Sequence, residues 1–294
     1  MTTQAQTAFR RALSLDAALA ALAAGPCTVL AGGTDLYAGS PASPGAPPLL
    51  DIGSLDTLRR IETCAFEGRP AIRVGALATW SALRDDGLPP WARALAIAAR
   101  DVGGVQIQNR GTLGGNVCNA SPAADGVPAL LALDAQVELA RQGARRRMPL
   151  SRFLLGPRRT AREADELVTG FLLPVPPAQS RSTFLKLGSR RYLVISIAMV
   201  AMAIDVGDDR RIAAARLAVG ACGPVASRLT QLESRLTGLA LPLAPDVLAR
   251  LIDDDTLAPL RPIDDVRGGA SYRRDAVTTL LARGLAEVTQ EALA

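Results

Sequence analysis

The chain has 294 residues, 49% of them apolar and 21% charged, with a net charge of +5. That length supports two or three domains with real cores, and the composition excludes a disordered chain. It contains no histidine, which removes Ser-His-Asp and Cys-His catalysis and histidine-ligated zinc.

The four cysteines, Cys27, Cys64, Cys118 and Cys222, lie far apart without C-x-x-C spacing. They predict neither a metal site nor a disulfide framework, and read as reduced thiols of a cytoplasmic protein. Aromatics at 3% argue against a stacking platform for nucleic acid. The one tight basic run, Arg145-Arg146-Arg147, reads as a solvated turn. The longest later apolar run, Leu193 to Ile204, is far shorter than the ~20 residues of a membrane span.

In chain order, Leu15, Leu19 and Leu22 recur at helical spacing behind a Ser14 cap, predicting an amphipathic helix. Cys27 to Ala31 is a short buried strand that runs into Gly32-Gly33-Thr34-Asp35-Leu36. Residues 39–48 form a proline-rich loop, followed by a strand and turn in LLDIGSLDTLRRIE. AIRVGALATWSAL is a strand entering a helix near Thr79, and Pro89 to Ala99 is another helix. The central stretch, DVGGVQIQNRGTLGGNVCNASPAADGVP, spans Asp101 to Pro128. With so many glycines, each costing roughly 1 kcal/mol in a helix interior, it is not expected to be a core helix. It is either a glycine turn without a ligand or a nest of backbone amides that receives an anion.

PALLALDAQVELA follows as a helix or buried segment and then a strand, with Asp134 at the turn. DELVTGFLLP is an edge strand ending at Pro174, and PVPPAQS is a linker. Beyond it, TFLKLGSRRYLVISIAMVAMAID reads as strand, loop and strand, and RIAAARLAVGACG as a strand. Two helices, a polar loop and a C-terminal helix complete an α+β pattern.

A strand that delivers Gly32-Gly33 and then a hydroxyl is a weak phosphate signal alone. Its pairing with Thr112-Leu113-Gly114-Gly115-Asn116 is stronger, because two nests can grip a diphosphate from opposite sides. This pairing, together with NRGTLGGNVCNASPAADGVPALLALDA, SLDAALAAL, VGALATWSAL, DELVTGFLLP and FLKLGSRRYLVISIAMVAMAI, resembles the FAD-binding subunit of the molybdenum hydroxylases. Xanthine dehydrogenase, aldehyde oxidoreductase and carbon monoxide dehydrogenase belong to that family.

The resemblance covers nearly the whole chain. It implies an α+β FAD-binding domain of the p-cresol methylhydroxylase type in two subdomains, residues 1–55 and 56–176, and an α+β flavoprotein domain over 182–294. It also implies that Leu30, Ala31, Gly32, Gly33, Thr34, Asp35 and Leu36 wrap the FAD diphosphate with Thr112, Leu113, Gly114, Gly115 and Asn116. Val102 lies against the cofactor, and Leu167 or its neighbour Val168 adds an apolar contact.

Asp125 matches a further FAD contact. Like charges repel, so a ribose hydroxyl or adenine amino group is its sensible partner, and a helix cap is the alternative role. Lys186 matches an FAD-contacting lysine. It is the only lysine among 33 basic residues, and an ammonium and a guanidinium are not interchangeable.

The resemblance therefore implies a xanthine dehydrogenase-like, heteromeric electron-transfer complex. FAD is held non-covalently, with the molybdenum cofactor and [2Fe–2S] clusters on large and small partner subunits, in a dimer of heterotrimers. NAD+ or another acceptor takes the electrons. No general acid or base and no metal ligand is assigned on this chain. The rival readings are a stand-alone FAD-dependent oxidoreductase and a non-redox nucleotide-binding scaffold.

Overall fold

The computed structural model describes residues 9–39, 46–85, 87–176 and 179–293. The proline-rich loop expected at 39–48 lies largely outside them. Among the described residues three larger sheets follow one another along the chain, with a two-stranded hairpin, Leu154–Gly156 and Arg159–Thr160, beside the second. The first is a parallel trio, Phe9–Arg11, Leu49–Asp51 and Thr28–Leu30, in that spatial order. The helix Leu15–Ala23 connects two of its strands, and the Ser14 hydroxyl accepts from the Ala17 amide at 3.1 Å. Ala18, Leu19 and Leu22 face its core with Leu50, Ile52 and Leu77.

The second sheet has five antiparallel strands, ordered Ile61–Phe66, Arg69–Gly75, Leu167–Pro174, Gln136–Arg141 and Ala144–Pro149. The strand expected at an edge, Leu167–Pro174, is central and is buried from Leu167 through Leu173. Its unbroken burial, Thr169 included, reflects cover on both faces, and Pro174 stands at its last position, where a missing amide disturbs least.

The glycine-rich stretch supplies the second correction. It folds into three short helices, Val105–Arg110, Leu113–Asn119 and Gly126–Ala132. Leu113, Gly114 and Val117 are buried, as is every residue from Gly126 to Ala132. Tight packing outweighs the helix propensity of glycine here. A Cβ on Gly114 would stand 2.6 Å from the Ala76 carbonyl oxygen, and one on Gly126 would stand 2.6 Å from the Trp80 ring.

The third sheet, Gln179–Leu187, Ala198–Val206, Ile212–Gly220 and Ser227–Arg228, is antiparallel in chain order. It begins at Gln179, three residues ahead of the boundary expected at 182. Helices Thr230–Leu236, Pro245–Leu251 and Ala270–Leu293 accompany it. Ala198–Val206 is buried at all nine positions. Successive side chains of a strand point to opposite faces. Met199, Ala201 and Ala203 accordingly join the core of the preceding domain, and Ala198, Val200, Met202 and Ile204 join the C-terminal core. One strand is therefore shared between two hydrophobic cores. No helix among the described residues is long and apolar enough to cross a membrane.

Candidate functional site

A cleft of about 1100 Å³ gathers both glycine motifs, slightly larger than the ~300–1,000 Å³ usual for small-molecule sites. It is lined by Leu30 through Leu36, Val102, Gly103, Thr112, Gly114, Gly115, Asn116, Asp125, Leu167 and Val168. The segment Leu193–Ile195 of the C-terminal domain reaches it as well. A smaller cavity of about 410 Å³ shares Leu30, Ala31, Gly32 and Thr112 with it.

The first loop leaves the strand Thr28–Leu30 and turns at Gly33, whose φ of 76° lies in the left-handed region that glycine enters without cost. Tyr37 donates to the Gly33 carbonyl at 3.0 Å and Gly39 to the Asp35 carbonyl at 3.1 Å, closing the turn. The five amides from Gly32 to Leu36 donate to no partner among the described residues. A row of unspent N–H groups is an anion cradle.

The second loop differs from expectation. The Leu113 amide donates to the Ala78 carbonyl at 2.9 Å, and that of Gly114 to the Ala76 carbonyl at 2.8 Å. The Gly115 amide donates to the Thr112 hydroxyl at 3.1 Å and the Asn116 amide to the Thr112 carbonyl at 3.0 Å. The first two of these donors anchor the helix Leu113–Asn119 to the second sheet's domain, and the other two are spent on its own N-cap, Thr112. The expected grip by amides from both sides is thus replaced by a one-sided cradle against a helical wall. What the second loop presents is surface. Gly115 is exposed, and the Asn116 Oδ1 is buried without a partner, an acceptor that a ligand hydroxyl or N–H can satisfy.

The two loops touch through the absence of a side chain. A Cβ on Gly32 would lie 2.1 Å from the Arg110 carbonyl oxygen, so only glycine allows this approach. A polar tie adds to it: Asn119 Nδ2 donates to Asp35 Oδ2 at 2.6 Å, and Arg158 donates to Asn119 Oδ1.

Asp125 and Lys186 meet each other. Lys186 Nζ donates to Asp125 Oδ2 at 2.7 Å and to the Asp101 carbonyl at 3.2 Å, and the Ser196 hydroxyl donates to Asp125 Oδ1 at 2.5 Å. The Asp125 carboxylate therefore makes no helix cap. Burial raises its pKa above the usual carboxylate range, and the Lys186 ammonium and Ser196 hydroxyl pull it back. Asp125 lines the cleft whereas Lys186 stands behind it.

Of the sixteen residues expected at the site, the cleft brings together all but Lys186 and Leu113. Leu113 is fully buried in the core. Sequence reasoning missed Asn119, Arg158, Arg162 and Leu193–Ile195. The last group arrives from the C-terminal domain, within a stretch that resembles the family but is not assigned to the cofactor site from sequence. Cys118 also lines the cleft, but burial pushes its thiol up to about 11, so it is protonated at neutral pH and is no nucleophile. No cluster of metal-ligating side chains occurs among the described residues.

Residues 4–176 match the FAD binding domain in molybdopterin dehydrogenase, and residues 183–288 match the CO dehydrogenase flavoprotein C-terminal domain. The chain belongs to this flavoprotein family. Among its relatives, the nicotinate dehydrogenase FAD-subunit of Eubacterium barkeri is 36% identical over 74% of this chain and 73% of its own length. The putative xanthine dehydrogenase FAD-binding subunit of Escherichia coli K12 is 30% identical over 97% of this chain and 96% of its own.

The solved carbon monoxide dehydrogenase of Hydrogenophaga pseudoflava superposes with a TM-score of 0.85 at 25% identity, covering 97% of each chain. FAD is accordingly the cofactor of this family's domain, and the residues present fit it. Unspent amides await an anion, and the orphaned Asn116 Oδ1 awaits a donor.

Proposed function

We propose that this chain is the FAD-carrying electron-transfer subunit of a xanthine dehydrogenase-like molybdenum hydroxylase. The observation that carries the reading is the row of unspent amides from Gly32 to Leu36, set in a dinucleotide-sized cleft within an FAD-binding domain. These amides take the diphosphate. Gly115 and Asn116 form the facing wall, and Thr112 holds that wall through its cap.

Val102, Leu167 and Val168 supply apolar contact that shields the cofactor from water. Asp125 and the Asn116 carbonyl oxygen accept hydrogen bonds from the cofactor's hydroxyl or amino groups, since an anion beside Asp125 would be repelled. FAD, when bound, supplies the electron carriage; the protein's part is to hold and orient it. The cofactor is held without a covalent bond.

Electrons reach this chain from [2Fe–2S] clusters on a small partner, supplied by a molybdenum site on a large partner, and leave to NAD+ or another acceptor. The assembly is a cytoplasmic dimer of heterotrimers. Relatives named for nicotinate, xanthine, glyceraldehyde and caffeine support assigning substrate choice to a partner subunit, and the near full-length xanthine match supports a purine-type substrate. The test is the absorption spectrum of the purified chain after mixing with FAD, followed by assay of the assembled complex on xanthine, aldehydes and N-heterocycles with NAD+ or an artificial acceptor. Absence of flavin bands would overturn the cofactor assignment. Activity on aldehydes without activity on xanthine would overturn the purine reading.

A further inference from the structure

The seven-residue helix Gly126–Ala132 carries Asp125 at its entrance and Asp134 just past its exit. Both ends are held by side chains of the C-terminal domain. At the entrance, Lys186 and Ser196 bind the two oxygens of Asp125. The side chains of Lys186 and Asp125 are 7% and 9% exposed, so this pair is little screened by solvent.

At the exit, the Ala135 amide donates to the Leu130 carbonyl and the Asp134 amide to the Leu131 carbonyl, with Asp134 left-handed at φ 50°. That is a Schellman termination with aspartate where glycine is usual. Two arginines of the third sheet complete it. Arg228 donates to the Leu131 carbonyl at 3.1 Å and to Asp134 Oδ1 at 2.7 Å, and Arg216 donates to the Ala132 carbonyl at 3.1 Å.

Both guanidiniums are fixed from behind. Arg216 forms a two-bond fork with Asp205, and Arg228 forms one with Glu233. Between the two ends, a Cβ on Gly220 of the third sheet would lie 2.8 Å from Pro128, so the sheet lies close along the helix.

We infer that the C-terminal domain clamps this helix at both ends and thereby sets the position of Asp125 in the cofactor cleft. Lys186, Ser196, Arg216 and Arg228 are positioning residues that act on the cofactor through Asp125. None of the four lines the cleft. The inference rests on the proposed function only in its last step, from Asp125 to FAD. Because the clamp and the ligand act on one helix, occupancy of the cleft and closure of the clamp are thermodynamically reciprocal.

The test uses the full chain and has two readouts. Without FAD, hydrogen exchange over residues 127–135 should rise at least tenfold in Arg228→Ala and Lys186→Met, while residues 61–75 of the second sheet keep wild-type protection. Ser196→Ala, which removes one hydrogen bond, serves as the milder variant should either of these fail to fold. Unchanged exchange over 127–135 would overturn the clamp.

With FAD, Arg228→Ala should weaken binding several-fold in the wild-type background and have no further effect on top of Asp125→Asn. A merely structural arginine would weaken both backgrounds equally, and that result would overturn the link to Asp125. Wild-type protein that binds no FAD would sink the functional reading, while the exchange experiment would still decide the clamp.

Discussion

The glycines of the cleft divide by what a methyl group would meet. Gly32 and Gly114 abut backbone oxygens at 2.1 and 2.6 Å. An alanine at either should cost about 1–3 kcal/mol through overpacking, seen in thermal unfolding, and should lower FAD affinity by moving the loops apart. Gly115 meets only the Thr112 hydroxyl, at 3.0 Å, and sits inside a helix where alanine is favoured by roughly 1 kcal/mol.

Gly115→Ala is therefore expected to keep wild-type stability yet lower FAD affinity tenfold or more in a fluorescence titration. Wild-type affinity would remove Gly115 from the cofactor wall. Cys118, raised to about 11 by burial, should resist alkylation at pH 7.5. Peptide mapping should find its labelling accelerating only as the pH approaches 10–11, when thiolate begins to form.

At the scale of the element, the helix Gly126–Ala132 depends on its partners. Removing one member of a buried ion pair costs about 3–5 kcal/mol, and Lys186→Met should show a loss of that order at pH 7. Its sign with pH follows from Asp125. Burial raises the folded-state pKa of this carboxyl, so its contribution favours the folded state at low pH and is lost as the pH rises through that value.

Without Lys186 the rise is larger. The deficit of Lys186→Met relative to wild type should then be small near pH 4, close to the unfolded carboxyl value of ~3.9, and should grow toward pH 7. Paired thermal melts across that range check it; a deficit independent of pH would contradict an uncompensated Asp125.

Across the whole molecule, the strand Ala198–Val206 gives one face to each of two cores. The FAD-binding and C-terminal domains consequently lack independent interiors. Calorimetry should record a single cooperative transition whose calorimetric and van't Hoff enthalpies agree. Two resolved transitions would show that the shared strand does not couple the domains. The same sharing explains how Leu193–Ile195 and Lys186, both from the C-terminal domain, come to stand at or behind the cleft.

Sequence alone was enough for the α+β class and for naming many of the residues that line the cleft. Strands and amphipathic helices carry their periods in the order of apolar residues, and the two glycine motifs are contiguous words. Tertiary structure decided which amides remain free. Whether a glycine-rich run is an anion nest or a packed helix depends on the acceptors around it: Ala76, Ala78 and the Thr112 cap consume the donors of the second loop, whereas nothing described consumes those of the first.

Leu167–Pro174 reads from the sequence as an edge strand, and only its pairing with Arg69–Gly75 on one side and Gln136–Arg141 on the other makes it central. Lys186 carried a legible signal as the sole lysine. Its partnership with Asp125 joins residues 61 positions apart, a distance that no local pattern encodes, because long-range ion pairs are set by where the packed cores bring the backbone.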